Sequence, residues 1–190
     1  MGDPNFDYLK SKFHVSEDTY KILKNIALIR SLNAGEKLVE QGGKSNKVAF
    51  LSKGLMRAYS TLESGKEITK NLFTPISFVG ALSSLINDRP STYCYEALVD
   101  SLIFEINFHE FIEISKHNID ISNLYNRVLE YVFIIYEQKQ LHLVALNATD
   151  RYLDLKRRIP NIEKLIPQYQ IASYLNVSPV QLSRIRKALK

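Results

Sequence analysis

The chain has 190 residues, 45% of them hydrophobic, and 25 Lys and Arg against 20 Asp and Glu give a formal net charge of +5. That length allows one ample domain or two small ones, and no apolar run approaches the roughly 20 residues that span a bilayer. The N-terminal string MGDPNFDYLK has neither a basic leader nor a hydrophobic stretch, and the single cysteine, Cys94, excludes an internal disulfide and any multi-thiolate cluster; the expectation is a cytoplasmic protein.

Ser16, Glu17 and Asp18 read as the cap of a first helix running through Ile29. Apart from Gly2, every glycine lies between Gly35 and Gly80. Gly35, Gly42, Gly43, Gly54, Gly65 and Gly80 punctuate β-forming runs: KLVEQ, KVAFLS, LMRAYSTL and EITKNLF. STYCYEALV and SLIFEI continue the series to about Ile106. Turn spacing of this kind predicts antiparallel strands closing a small barrel or jelly roll, within a unit covering residues 1–118.

From Ile119 to Leu146 there is no Gly or Pro. Ile121, Leu124, Val128, Tyr131, Ile135 and Ala145 follow a helical period on one stripe, which His142 also joins. A helix over 119–146 is longer than one small barrel needs for cover, so the stripe is assigned to pairing with a second copy; the alternative is that it packs on its own barrel. Asn147 or Thr149 can cap a further helix running through Arg158, which places a hinge near 147–149. Pro160 and Pro167 separate that helix from the last segment.

The segment Gln168 to Lys190, within a unit covering 147–190, reads as two short helices around a tight turn. Ile171, Leu175, Val177, Leu182 and Ile185 fall on the inner faces, and Ala172 is small where the helices cross. Asn176 suits a left-handed turn position, and Ser178-Pro179 starts the second helix with a hydroxyl cap and a proline at its first position. That helix presents Gln181, Ser183, Arg184 and Lys187, which can reach bases and phosphates, and Ser178 and Gln168 are assigned to DNA binding with them. The pattern predicts a helix-turn-helix whose second helix enters a major groove of double-stranded DNA, against the blander reading of a structural hairpin. Charge placement agrees: residues 147–190 hold nine Lys and Arg against three Asp and Glu, a balance of +6, while the first 146 residues sum to −1.

Barrel, long helix, hinge and helix-turn-helix, in that order, resemble the cyclic-AMP receptor protein/fumarate-nitrate regulator family of bacterial transcription factors. KVAFLSKGLMRAYSTLESGKEIT resembles the family's early hairpin region, FTPISFVGALSSL the approach to its phosphate cassette, and ATDRYLDL the start of the helix after the hinge, with Arg151 at the family's arginine. IASYLNVSPVQLSRIRK is similar to the recognition segment of short members from Bacteroidetes-type bacteria. The resemblance implies an α+β chain: a cyclic-nucleotide-binding-like jelly roll, a dimerisation helix, and a winged-helix-like DNA-binding end whose wing is truncated at Lys190. It also implies a homodimer on a palindromic operator that acts on RNA polymerase, with Ser183 and Arg184 touching bases. Val180 and Pro179 depart from the best-known members, so the half-site sequence does not transfer. Leu124, Val128, Tyr131, Ile135 and His142 are the expected dimer interface.

The expected effector pocket comprises Gly80, Ala81, Leu82, Arg89, Ser91, Thr92 and Tyr136. The family's cassette pairs a glutamate with the ribose and an arginine with the cyclic phosphate. Here those slots hold Ala81 and Ser91, and Tyr136 and Glu137 stand where the base would be met, which argues against cyclic AMP. Arg89, two residues early, would share a strand face with Ser91 and offer a shifted phosphate contact. Another small-molecule effector, or none, remains open. One cysteine does not supply an iron–sulfur cluster. The strand region Gly35–Ile106 holds no histidine, which removes the ligand set of a barrel metalloenzyme, and no hydrolase triad or phosphate-cradling loop is visible. No metal and no catalytic residue is therefore assigned. The alternative function is an effector-binding sensor or interaction module whose helix-turn-helix no longer binds DNA.

Overall fold

A computed structural model of the chain describes residues 3–189; Met1, Gly2 and Lys190, at the ends of the N-terminal string and of the last segment, lie outside the described residues. Helix α1 (Pro4–Phe13) is capped by Asp3 and ends at His14 in the left-handed region, φ 53°. Helix α2 (Glu17–Ile26) is capped by Ser16, whose hydroxyl accepts from the Thr19 N–H at 3.1 Å. The helix expected through Ile29 stops at Ile26, because Ala27–Leu32 is strand β1 and pairs with Ser101–Asn107. Its partner lies far along the chain, and local pattern carries no trace of it.

The other strands are β2 (Lys37–Val39), β3 (Lys47–Lys53), β4 (Met56–Thr61), β5 (Glu67–Phe73), β6 (Ser77–Val79), β7 (Cys94–Ala97) and β8 (Ser101–Asn107). They form two four-stranded sheets, β1-β8-β3-β6 and β2-β7-β4-β5, with every pairing antiparallel. This is a jelly roll that fills its interior with alternate side chains. Leu51, Met56, Ala58, Ala97 and Ile103 are buried together between the sheets. Arg57, between Met56 and Ala58 on β4, is buried on the other face, where it pairs with Glu67 at 2.6 Å and Glu96 at 2.7 Å. Glu105 is buried between Lys47 and Arg30. Arg57 and Glu105 thus each have their counter-charges, and these groups are committed to holding strands together.

The β3–β4 turn depends on Gly54. Its φ is 106°, and a Cβ there would lie 2.1 Å from the Ser101 hydroxyl oxygen. Gly54→Ala is expected to lower the unfolding free energy by about 2–4 kcal/mol, read as a fall in the urea midpoint. A midpoint equal to that of the wild type would contradict the close approach.

After α3 (Leu82–Asn87) and α4 (Phe108–His117), the chain enters α5 (Ile119–Ala145), started by Asn118, whose side chain accepts from the N–H groups of Asp120 and Ile121. The apolar stripe of α5 faces its own barrel. Leu124 is buried with Leu9, Phe13, Val15 and Phe50, and Val128 and Tyr131 pack on the same cluster. Ile135 and His142 lie further along this row, on the wall of a cavity, with more exposure. The large apolar side chains that face outward are others: Phe133, Ile134, Leu141 and Val144. A helical period identifies a face but not what covers it: here the barrel covers Leu124, Val128 and Tyr131 of the row expected to meet a second copy, and leaves Ile135 and His142 exposed.

Helix α5 ends at Leu146, which is extended, and Asn147 caps α6 (Ala148–Arg158) by accepting from the Asp150 N–H at 3.0 Å. Then come α7 (Ile162–Leu165), α8 (Gln168–Tyr174) and α9 (Pro179–Ala188). Among the described residues, no helix is long and apolar enough to cross a membrane.

Candidate nucleic-acid interface and effector cavity

Helices α8 and α9 are held by a core of Ile171, Ala172, Leu175, Leu182 and Ile185 that merges with Tyr152, Leu155, Ile159, Ile162 and Ile166. The turn between them is a helix stop of the left-handed kind. Asn176 has φ 54°, its N–H donates to the Ser173 carbonyl, and the Val177 N–H donates to the Ala172 carbonyl at 3.0 Å. Ser178 then caps α9, accepting from the Gln181 N–H at 3.1 Å, with Pro179 at the first helical position. The last carbonyl of α8 is taken by Arg151, which donates to the Leu175 oxygen at 3.1 Å and to the Leu146 oxygen at 2.6 Å. One guanidinium therefore joins the C-terminal ends of α5 and α8, where unsatisfied carbonyls favour a cation.

Gln168, Ser178, Gln181, Ser183, Arg184 and Lys187 are all exposed. Ser178 spends its hydroxyl on the cap. Among the described residues, no carboxylate pairs with Arg184 or Lys187, whereas Arg186 is held by Glu163. The Tyr152 hydroxyl and Arg186 together hold the Glu163 carboxyl below its usual range. Arg184 and Lys187 thus remain free to meet an outside partner, while Arg186 belongs to the fold.

Helix α8 docks on the barrel. The Thr69 N–H donates to the Ser173 hydroxyl at 2.8 Å, and that hydroxyl donates to the Glu67 carbonyl at 3.1 Å. Both partners lie on β5, an edge strand whose ladder groups would otherwise be unpaired. Leu55 and Leu72 of the barrel join the core of the C-terminal helices.

A cavity of about 740 Å³ runs between α5 and the barrel. Of the expected pocket residues, Gly80, Leu82 and Tyr136 line it. Ala81 is buried in the barrel core. Arg89, Ser91 and Thr92 lie in the loop before β7, outside the cavity lining. Arg89 and Thr92 are exposed, and Ser91 is buried with its hydroxyl bonded to the Tyr93 carbonyl at 2.6 Å. Arg89 and Ser91 therefore share no strand face, and the arginine is not in the cavity wall. Cys94 is buried, and burial pushes its thiol up, as expected of an inert strand residue.

The cations that do line the cavity stand outside the cassette slots: Lys24 on α2, which pairs with Asp3 at 3.9 Å, Lys70 on β5, Lys139 on α5, and Arg151 and Arg158 on α6. Burial holds the Lys70 ammonium below its ordinary pKa. Burial, then the charges of Arg158 and Lys70, push Lys139 down to about 8. Lys139 follows Ile135 by four and precedes His142 by three, so a lysine on an apolar, barrel-facing row was the signal in the sequence.

A cyclic nucleotide-binding domain family model matches residues 29–118. No curated protein sequence matches the chain significantly. Solved structures are similar over most of its length. A putative transcriptional regulator of the CRP/FNR family from Eubacterium rectale superposes with a TM-score of 0.71 at 15% identity, over 98% of this chain and 86% of that one. FixK2 from Bradyrhizobium japonicum gives 0.70 at 17% identity, over 86% and 84%. The c-di-GMP responsive global regulator CLP of Xanthomonas campestris gives 0.69 at 14%, over 92% and 91%. Residues 29–118 thus match the cyclic nucleotide-binding domain model, and the chain as a whole has the fold of these solved CRP/FNR-type structures.

Proposed function

We propose that this protein is a sequence-specific DNA-binding transcription regulator, active as a homodimer on a palindromic operator and not answering to cyclic AMP. The observation that carries the reading is the helix-turn-helix itself. Its turn, cap and crossing are all satisfied internally, while Arg184 and Lys187 stay exposed and uncompensated on α9. The fold shared with known regulators supports the same class over an enzyme, and RNA polymerase becomes the expected partner. The outward row Phe133, Ile134, Leu141 and Val144 supports pairing of two α5 helices. Independence of cyclic AMP is supported by the cavity wall, where neither Arg89 nor a carboxylate in the glutamate slot is available.

Selection of binding sites from random duplex DNA tests this, with wild type and Arg184→Ala side by side. Enrichment of two half-sites about one helical turn apart is expected. Arg184→Ala should weaken binding by about 1–3 kcal/mol and relax one base position. No enrichment, with binding that hardly changes with salt, would instead support a sensor module whose helix-turn-helix no longer reads DNA.

A further inference from the structure

We propose that the cavity binds an apolar or aromatic molecule bearing a single carboxylate, whose anionic end sits between Lys70 and Lys139. This rests on reading the cavity as the effector site of a regulator, and it names the effector's chemical class.

Both lysines line the cavity, and among the described residues neither has a carboxylate partner. The nearby acid, Asp154, is engaged by Arg157 at 3.4 Å and Arg158 at 3.2 Å. The Lys70 ammonium lies 4.2 Å from the centre of the Tyr93 ring and 5.3 Å from that of Tyr136. Lys139 lies 4.6 Å from the Tyr174 ring centre and donates to the Lys70 carbonyl and the Asn71 side chain. Aromatic faces and two amide oxygens thus hold two like charges, whereas the buried cation Arg57 faces two glutamates, Glu67 and Glu96. Their backbone is shaped for it: β4 and β5 slip register between Thr69 and Asn71, so Lys70 is the extra residue of a β-bulge, a device that re-aims a side chain.

The ligand's chemistry follows from what surrounds these charges. Two ammonium groups suit one carboxylate, whereas a phosphate dianion is better matched by a guanidinium fork. The two guanidinium groups in the wall are already engaged, Arg151 by the Leu146 and Leu175 carbonyls and Arg158 by Asp154 and the Tyr174 hydroxyl. The remaining wall is mainly apolar and aromatic, including Phe73, Phe78, Tyr95 and Phe104. It would take a hydrophobic body. The site also touches what moves in a regulator. Lys70 belongs to the barrel, Lys139 to the long helix, and Tyr174 to α8, the first helix of the helix-turn-helix, where its hydroxyl accepts from Arg158 at 2.8 Å. A ligand drawing Lys139 from the Tyr174 ring would act directly on the seat of α8.

Fluorescence titration tests the proposal with two probes, the anion 8-anilinonaphthalene-1-sulfonate and the uncharged N-phenyl-1-naphthylamine. The wild-type protein is expected to bind both saturably. Lys70→Met with Lys139→Met should weaken the anion by roughly tenfold or more while leaving the neutral probe unchanged, which shows the cavity intact. Lys139→Arg should keep the anion. Naphthalene-1-carboxylate should displace the anionic probe, and inorganic phosphate and cyclic AMP should not. Failure of the wild type to bind the anion, equal loss of both probes, or displacement by phosphate or cyclic AMP but not by the carboxylate would each overturn the assignment. No DNA enters this titration, so its failure leaves the operator result standing, and the reverse holds.

Discussion

Phe133→Glu combined with Leu141→Glu is expected to yield a folded monomer that has lost its operator. Phe133 is 68% exposed and Leu141 62%, while Val144 reaches 88%. Ile134 and Leu141 are seven residues apart and Val144 three further, the spacing of a two-helix seam. Burying large apolar side chains contributes about 1.5–3 kcal/mol each, so four on each of two copies suffice to hold a dimer. Neither substituted residue belongs to a buried cluster of its own chain, so the melting temperature of the monomer should hardly fall. A dimer places two recognition helices on two half-sites, and losing one should weaken operator binding by roughly 10²–10⁴-fold. Sedimentation velocity and a gel-shift titration would read both effects. A variant that stays dimeric would remove α5 as the seam, and a monomer that keeps full affinity would remove the two-fold operator.

Some of this architecture was legible because the responsible signals are local. Asn176, Ser178 and Pro179 each answer a backbone demand within one turn, and all three occupy the slots expected of them. The strands after Gly35 could be read from turn spacing for the same reason. What failed to be legible depends on partners distant in sequence. Strand β1 was absorbed into a helix because ALIRSL reads as strand only beside β8. The row Leu124, Val128 and Tyr131 has the correct period, yet only the aromatic cluster around Phe13 decides that the barrel covers it. The family's arginine slot falls at Ser91, with Arg89 two residues before it, and both lie outside the wall of the cavity. The cations that line it come instead from α2, β5, α5 and α6, which no short motif unites. A charged residue on a row otherwise covered by the barrel, as at Lys139, was the one available hint.

Lys139→Met is expected to stabilise the protein at neutral pH, in contrast to most substitutions at partly buried positions. The ammonium's folded pKa of about 8 lies below the ordinary 10.5. An unfolded chain therefore binds more protons between those values, and unfolding free energy rises with pH across that window. Below about pH 8 the full penalty is present; it fades as pH climbs toward 10.5. The groups facing Lys139 reinforce this direction: Lys70 from β5 and Arg158 from α6 are cations, and Tyr174 from α8 offers only its ring. The shift alone corresponds to roughly 3 kcal/mol. Losing the donors to the Lys70 carbonyl and Asn71 would offset about 1 kcal/mol. The expected gain is thus about 2 kcal/mol at pH 7, or several degrees in melting temperature for a chain of this size. Melting curves from pH 6.5 to 10 would show the gap between variant and wild type narrowing as pH rises; a gap that widens, or a less stable variant at pH 7, would contradict it. A fold that keeps two repelling cations where methionine would serve better gives up stability at that point. That sacrifice is what a site awaiting an anion requires: the bound carboxylate would raise the Lys139 pKa and return the lost stability, so ligand and fold draw on the same pair of charges.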